Sequence, residues 1–412
     1  MNLVKWSNVL LCLTLLGCAS LSAQELKSHH PSVQLGAQAG AQVCDSRELA
    51  CANAASPAWL ADGSLALVWT AGGAVSVAKS LDGGRSFGPR VEIAEHQKNL
   101  DTGADARAQI IAHDDGHVLV VYGYFKDSHW NAKVNFSLST DFAQHFTKPV
   151  AISKSDDSER FPVLALQKQG VVSIAWVDKR VVAQKNKSGK VALGGSIAYT
   201  QTSDWGQTFK KEIIINPESC ECCRIGLAID SNDRAVLAYR ALFAGGVRDH
   251  AIQSVSDQYL PSALMRVSND HWQTDVCPHQ GPSVSVSETG AVHVTWFTQG
   301  SVRSGLYYAH ALEGSPVFSE PLPIGNAALN PSRAYVLASG RSVWLVWKEF
   351  DGQTSSLHAM RSTDQGLTWS PSEELMSTRG YSDHPLLLKS GQGVYVSWLT
   401  RLNGYQLRRL DP

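Results

Sequence analysis

Two sets of side chains in this 412-residue chain are suited to chemistry. The first is Arg107, Arg160, Arg224 and Arg333, each placed at the start of a short apolar segment, with Asp105, Glu159 and Asp383 at similar positions. Planar guanidiniums grip carboxylates and sulfates through paired hydrogen bonds, so four drawn together would hold an anion, with Asp105 beside them. The alternative is that these arginines pair with Asp105, Glu159 and Asp383 and simply tie segments together. The second set is Cys220-Glu-Cys222-Cys223 with Cys277-Pro-His279. Thiolates and imidazole suit a soft ion, Cu(I) or zinc. In an oxidising compartment the sulfurs would instead form disulfides: Cys44 with Cys51, and two bridges among the other four. Adjacent Cys222 and Cys223 would strain a mutual bridge, which favours partners at Cys220 or Cys277. The sequence requires no cofactor; copper or zinc at this cluster is the alternative to disulfides.

Residues so far apart in sequence need a fold that gathers them, and the chain carries a repeat. Three turns read Ser80-Leu-Asp82-Gly-Gly84-Arg-Ser86-Phe87, Thr202-Ser-Asp204-Trp-Gly206-Gln-Thr208-Phe209 and Ser362-Thr-Asp364-Gln-Gly366-Leu-Thr368-Trp369, with a worn copy at Ser139–Phe146. In each, Asp accepts local backbone N–H bonds, Gly takes a conformation denied to other residues, and the aromatic is expected to pack back on the sheet. Alongside runs a second beat, a short apolar strand, a turn, and a strand ending in Trp69, Tyr122, Trp176, Tyr239, Trp296, Trp347 or Trp398. These aromatics lie 53, 54, 63, 57, 51 and 51 residues apart. Each beat has room for about four strands, the content of one propeller blade. The expected fold is therefore an all-β propeller of seven four-stranded blades. The last beat ends at a third strand, Tyr405–Leu410, and the N-terminal stretch Ser32-Val-Gln-Leu-Gly36 is suited to close it. Two stacked β-sandwiches are the alternative that the regular spacing disfavours.

Lys plus Arg number 36 against 37 Asp plus Glu, so there is no basic excess for nucleic acid. Residues 1–23 read as an export signal: Lys5, then a largely apolar run of nine residues from Val9 to Gly17, too few to span a bilayer. Cleavage before Cys18 would make a lipoprotein; cleavage after Ala23 would release a soluble chain. The expected location is periplasm, outer membrane or outside the cell, with membrane contact only through signal or lipid. Residues 24–412 are expected to form one domain. Lys185 to Lys190 read as a mobile loop, and Trp130 as either a sugar platform or a packing residue.

The turn motifs resemble the Asp boxes of sialidases and related bacterial-neuraminidase-repeat proteins, over nearly the whole mature chain. The resemblance implies boxes between the third and fourth strands of a blade, away from the ligand face. It also implies six blades as the alternative count. Arg160-Phe-Pro162 resembles the family's Arg-Ile-Pro element, and Gly380-Tyr381-Ser382-Asp383 its nucleophile segment. By that resemblance Tyr381 would attack the anomeric carbon and Asp178 would handle the leaving-group proton. The chain departs from the family in having its Arg-Ile-Pro look-alike in the third beat and no Arg between Lys348 and Ala359. The Cys-x-Cys-Cys run is similar to that of exported sialidase-like proteins of unknown role. Two functions follow as expectations. One is an anionic-glycan binder, with or without hydrolysis of terminal sialic acid. The other is a non-catalytic propeller that holds a soft metal or a partner protein on its Cys/His face.

Overall fold

The computed structural model describes residues 44–411 apart from Asp45, Gln97, Lys98, Asp275 and Cys277. The export segment with Cys18, the stretch 32–36 and Cys277 lie outside the described residues. Seven antiparallel sheets follow one another: residues 55–95, 109–151, 159–219, 226–266, 283–324, 332–379 and 386–409. The first six are four-stranded and the seventh three-stranded, with strands in chain order within each sheet. This is a seven-bladed β-propeller.

The recurring aromatics build the cores between blades. Trp176, Trp296, Trp347 and Trp398 are fully enclosed on second strands, as are Tyr122 and Tyr239. Each of these four indole N–H groups finds an acceptor: Asp178 at 2.9 Å for Trp176, Asp270 at 2.8 Å for Trp296, Glu349 at 2.9 Å for Trp347, and the Asp383 carbonyl at 3.1 Å for Trp398. Satisfied N–H groups let these large rings be buried without the penalty of an unmade hydrogen bond.

The four Asp turns lie between third and fourth strands, at 80–87, 139–146, 202–209 and 362–369. In the sixth blade Asp364 accepts from the Thr368 amide at 2.9 Å and the Thr368 hydroxyl at 2.5 Å, and Gly366 N–H donates to Ser362 Oγ at 2.8 Å. The same bonds recur around Asp82 and Asp204, while around Asp141 the Ala143 amide replaces that of Gly and the His145 ring replaces the hydroxyl. The aromatic at the end of the motif does not fold back on its own sheet. Phe209 meets Phe136 of the second blade at 5.1 Å, Trp369 meets Tyr308 of the fifth at 4.9 Å, and Phe87 meets Tyr405 of the seventh at 5.5 Å. Every one reaches back by one blade, because the turn overhangs the preceding sheet.

Around the ring, the first blade packs on the seventh. Asp383 accepts from the Ala55 amide at 3.2 Å, Tyr381 donates to the Asn53 carbonyl at 2.7 Å, and Arg401 donates to the Ala50 carbonyl at 2.9 Å. Cys44 and Cys51 are bonded beside this seam, with Cα atoms 5.4 Å apart. Of the run Lys185 to Lys190 expected to be a loop, the first three residues end a helix, Arg180–Lys187, and the rest form a turn; the helix is anchored where Asp178 accepts from the Arg180 amide at 2.8 Å.

Candidate functional site

Strands one and two of a blade run in opposite directions, so the segments leading into inner strands share one face with the loops joining strands two and three. The Asp turns occupy the other face. On the first face, near the axis, Asp105 lies on a short helical turn, Ala104–Ala106, ahead of the second blade. Its carboxylate takes Arg224 at 3.1 Å from the fourth blade and Arg333 at 2.9 Å from the sixth, and His384 from the seventh lies 3.7 Å away. Arg333 also donates to the His279 carbonyl, and its backbone is left-handed at φ 60°. Strain of that kind persists only where surrounding contacts fix it.

Next to this cluster, Arg107 is almost wholly buried. Its guanidinium donates to the carbonyls of Ala104, Ala55 and His384 at 3.0–3.1 Å and faces Asp383 at 3.6 Å. Arg160 pairs with Asp101 at 2.7 Å rather than with Glu159, which is enclosed with Lys133 at 3.0 Å. Lys348 donates to the Ser382 carbonyl at 3.1 Å. Burial first, then Arg333 and Arg107 against the opposing pull of Asp383, bring its pKa down to about 8. Burial and the surrounding cations keep His384 neutral far below the usual imidazole range. The hub thus collects Arg107, Arg160, Arg224, Arg333 and Lys348 against Asp101, Asp105 and Asp383. A cavity of about 80 Å³ lies among Asp105, Arg107, Arg224, Tyr335 and His384. That is room for two or three waters' worth of atoms, roughly a carboxylate or sulfate and not a sugar ring.

Outward from Arg160 the surface turns aromatic. Its guanidinium lies 5.3 Å from the Phe125 ring, and Phe125 meets Trp130 edge-on at 5.0 Å. Trp130 is 66% exposed and sits in a left-handed backbone at φ 62°.

Of the residues expected from sequence, Asp105, Arg107, Arg160, Arg224 and Arg333 converge here, and His279 borders them. Tyr381 is close, yet its hydroxyl is spent on Asn53, and burial raises its pKa to about 12. The carboxylates that act on it are Asp383 and Asp105, not a glutamate. Asp178 is fully enclosed in the third blade, where Trp176 and Arg180 saturate it at 2.8–2.9 Å. A carboxylate so placed anchors a helix and cannot reach a ligand. Lys348 and Asp101 were not expected. Lys348 directly follows a recurring aromatic, as does Arg240 after Tyr239, and that shared position is the signal in the sequence that marks both.

The sulfurs of Cys220, Cys222 and Cys223 lie immediately before Arg224, all buried and mutually within 4.8 Å. Cys220 is 3.4 Å from Cys222 and 3.5 Å from Cys223. Hydrogen bonds from those two neighbours pull the Cys220 pKa well down, and donating to Cys220 holds Cys223 up at about 12. A second cavity, about 250 Å³, lies between the fourth and fifth blades near Asp230, Arg234, Gly290 and Glu313. There Arg234 and Asp230 pair with each other at 2.8 Å, and Glu313 is the other charged side chain of the lining, so nothing cationic is left over for an anion.

No protein-family model matches the chain, and no curated protein matches it in sequence. Among solved structures, a PL25 ulvan lyase bound to -[GlcA(1-4)Rha3S]- superposes with a TM-score of 0.56 at 9% identity, covering 89% of this chain and 95% of the lyase. A protein of unknown function from Dyadobacter fermentans gives 0.50 at 15% identity, covering 73% and 92%. A leech intramolecular trans-sialidase gives 0.48 at 9%, covering 82% and 70%. At these identities the likeness establishes the propeller and nothing finer.

Proposed function

We propose that this chain binds an anionic glycan across the hub face. A carboxylate or sulfate would enter beside Arg224, Arg333 and Lys348, and a neighbouring sugar ring would lie on Trp130. The observation that carries this reading is the imbalance at the hub, five cationic side chains against three carboxylates, drawn from blades far apart in sequence. An anion from solution would offset that excess where few waters can. The lyase that shares the fold was solved with a glycan of uronate and sulfated sugar, which agrees with ligand chemistry of this kind. Hydrolysis of sialosides is disfavoured, because Tyr381 has no glutamate to activate it and its proton is already committed to Asn53.

Titration calorimetry with uronate or sulfated oligosaccharides, and with neutral ones of equal length, tests the reading. Charged ligands should bind and neutral ones should not. Loss of a charged hydrogen bond in Arg333→Ala should weaken binding about 10- to 100-fold. Equal affinity for neutral and charged sugars, or no binding of either, would overturn it. With a fluorogenic sialoside, wild type and Tyr381→Phe should give the same background rate.

A further inference from the structure

We infer that Cys220, Cys222 and Cys223 form a three-thiolate site for Cu(I). Three sulfurs around a metal at about 2.3 Å stand about 3.8–4.0 Å apart, so the observed 3.4–3.5 Å spacings need only a few tenths of an ångström of opening. Among the described residues, no imidazole or carboxylate joins the three sulfurs within 4.8 Å. Among the described residues the donors number three, and three soft donors suit Cu(I), whereas structural zinc takes four ligands.

A second observation concerns Arg240. It is 1% exposed, stacks on Trp272 at 3.9 Å, and its Nε and Nη1 meet no hydrogen-bond partner among the described residues. Its carbonyl accepts from the Cys220 amide at 2.9 Å, which ties this strand to the cluster. Its charge acts on both Cys220 and Cys223. A buried guanidinium with two idle nitrogens is costly unless something anionic faces it. Arg248 approaches Cys220 Sγ at 4.0 Å from another side. The idle N–H groups would then donate to metal-bound sulfur, as partners around metal ligands commonly do. Binding displaces a proton from each sulfur that carries one and involves no change of oxidation state. The site is separate from the glycan reading and stands or falls alone.

The full chain, purified without oxygen, is titrated with Cu(I) against a chromophoric Cu(I) chelator, and in parallel with Zn(II). The expected result is one Cu(I) per chain, near-ultraviolet thiolate-to-copper absorption, and affinity at least tenfold above that for zinc. Cys220→Ser should abolish the absorption. Arg248→Gln, which leaves all three sulfurs in place, should weaken Cu(I) binding about tenfold and serves should the cysteine variant misfold. Peptide mapping that finds any of the three sulfurs in a disulfide in the native protein would overturn the inference. So would tighter zinc binding, or Cu(I) uptake unchanged in both variants.

Discussion

Lys348 gives the hub a pH-sensitive charge. Its pKa of about 8 means the ammonium is present below pH 8 and lost above it. Affinity for an anionic glycan should therefore fall as pH rises through about 8, and Lys348→Met should remove that dependence. His384 and His279 do not blur the transition, since burial first holds both below the usual imidazole range. Trp130→Ala should cost about 2- to 10-fold in glycan affinity without altering the pH profile, because a ring contributes stacking and no charge. Calorimetry across pH 6.5–9.5 checks both. The identities of Arg224 and Arg333 were legible from sequence as cations at the starts of inner strands. Asp105 was named beside them, but that Arg224 and Arg333 share this one carboxylate was not legible, since it stands 119 residues from one and 228 from the other, and only closure of the ring brings them together.

At the scale of the element, the Asp turns act as stitches between blades. Gly366 has φ 86°, and a methyl group there would collide with the Tyr308 hydroxyl of the preceding blade. Gly366→Ala should thus destabilise by about 2–4 kcal/mol through backbone strain and overpacking together; chemical denaturation measures this. The turn itself could be read from sequence because its hydrogen bonds join residues at most four apart. Where the aromatic goes could not, because its partner belongs to another blade. The turns also set acid sensitivity. Their own hydroxyl and amide donors hold Asp364 at about 2, and His145, opposing a desolvation cost, holds Asp141 at about 2. A carboxylate depressed in the folded state contributes stability above its ordinary range and loses it as pH falls toward 2. Melting temperature should drop between pH 4.5 and 2.5, and the drop should shrink in Asp364→Asn.

For the whole molecule, the joint between first and seventh blades rests on Asp383. It is fully buried, accepts from the amides of Ala55 at 3.2 Å and Leu399 at 2.9 Å, and faces Arg107. Asp383→Ala strips Arg107 of its carboxylate in a buried setting and should cost about 3–5 kcal/mol, whereas Tyr381→Phe loses one hydrogen bond worth about 1 kcal/mol. Comparing the two by denaturant unfolding separates the ion pair from the hydroxyl. Seven beats of similar length announced the wheel, since a repeat period is visible however its units are later arranged. The seam depends on single side chains and carries no periodic signal.

That seam also brings Ala50 and Asn53 against Arg401, so the first and last segments of the described chain pack side by side. A circular permutant should therefore fold, with residue 411 continued into 24–43 as the tether and new termini opened at the exposed Glu313–Gly314 turn. The order in which blades emerge from the ribosome would change, while the set of adjoining blades would not.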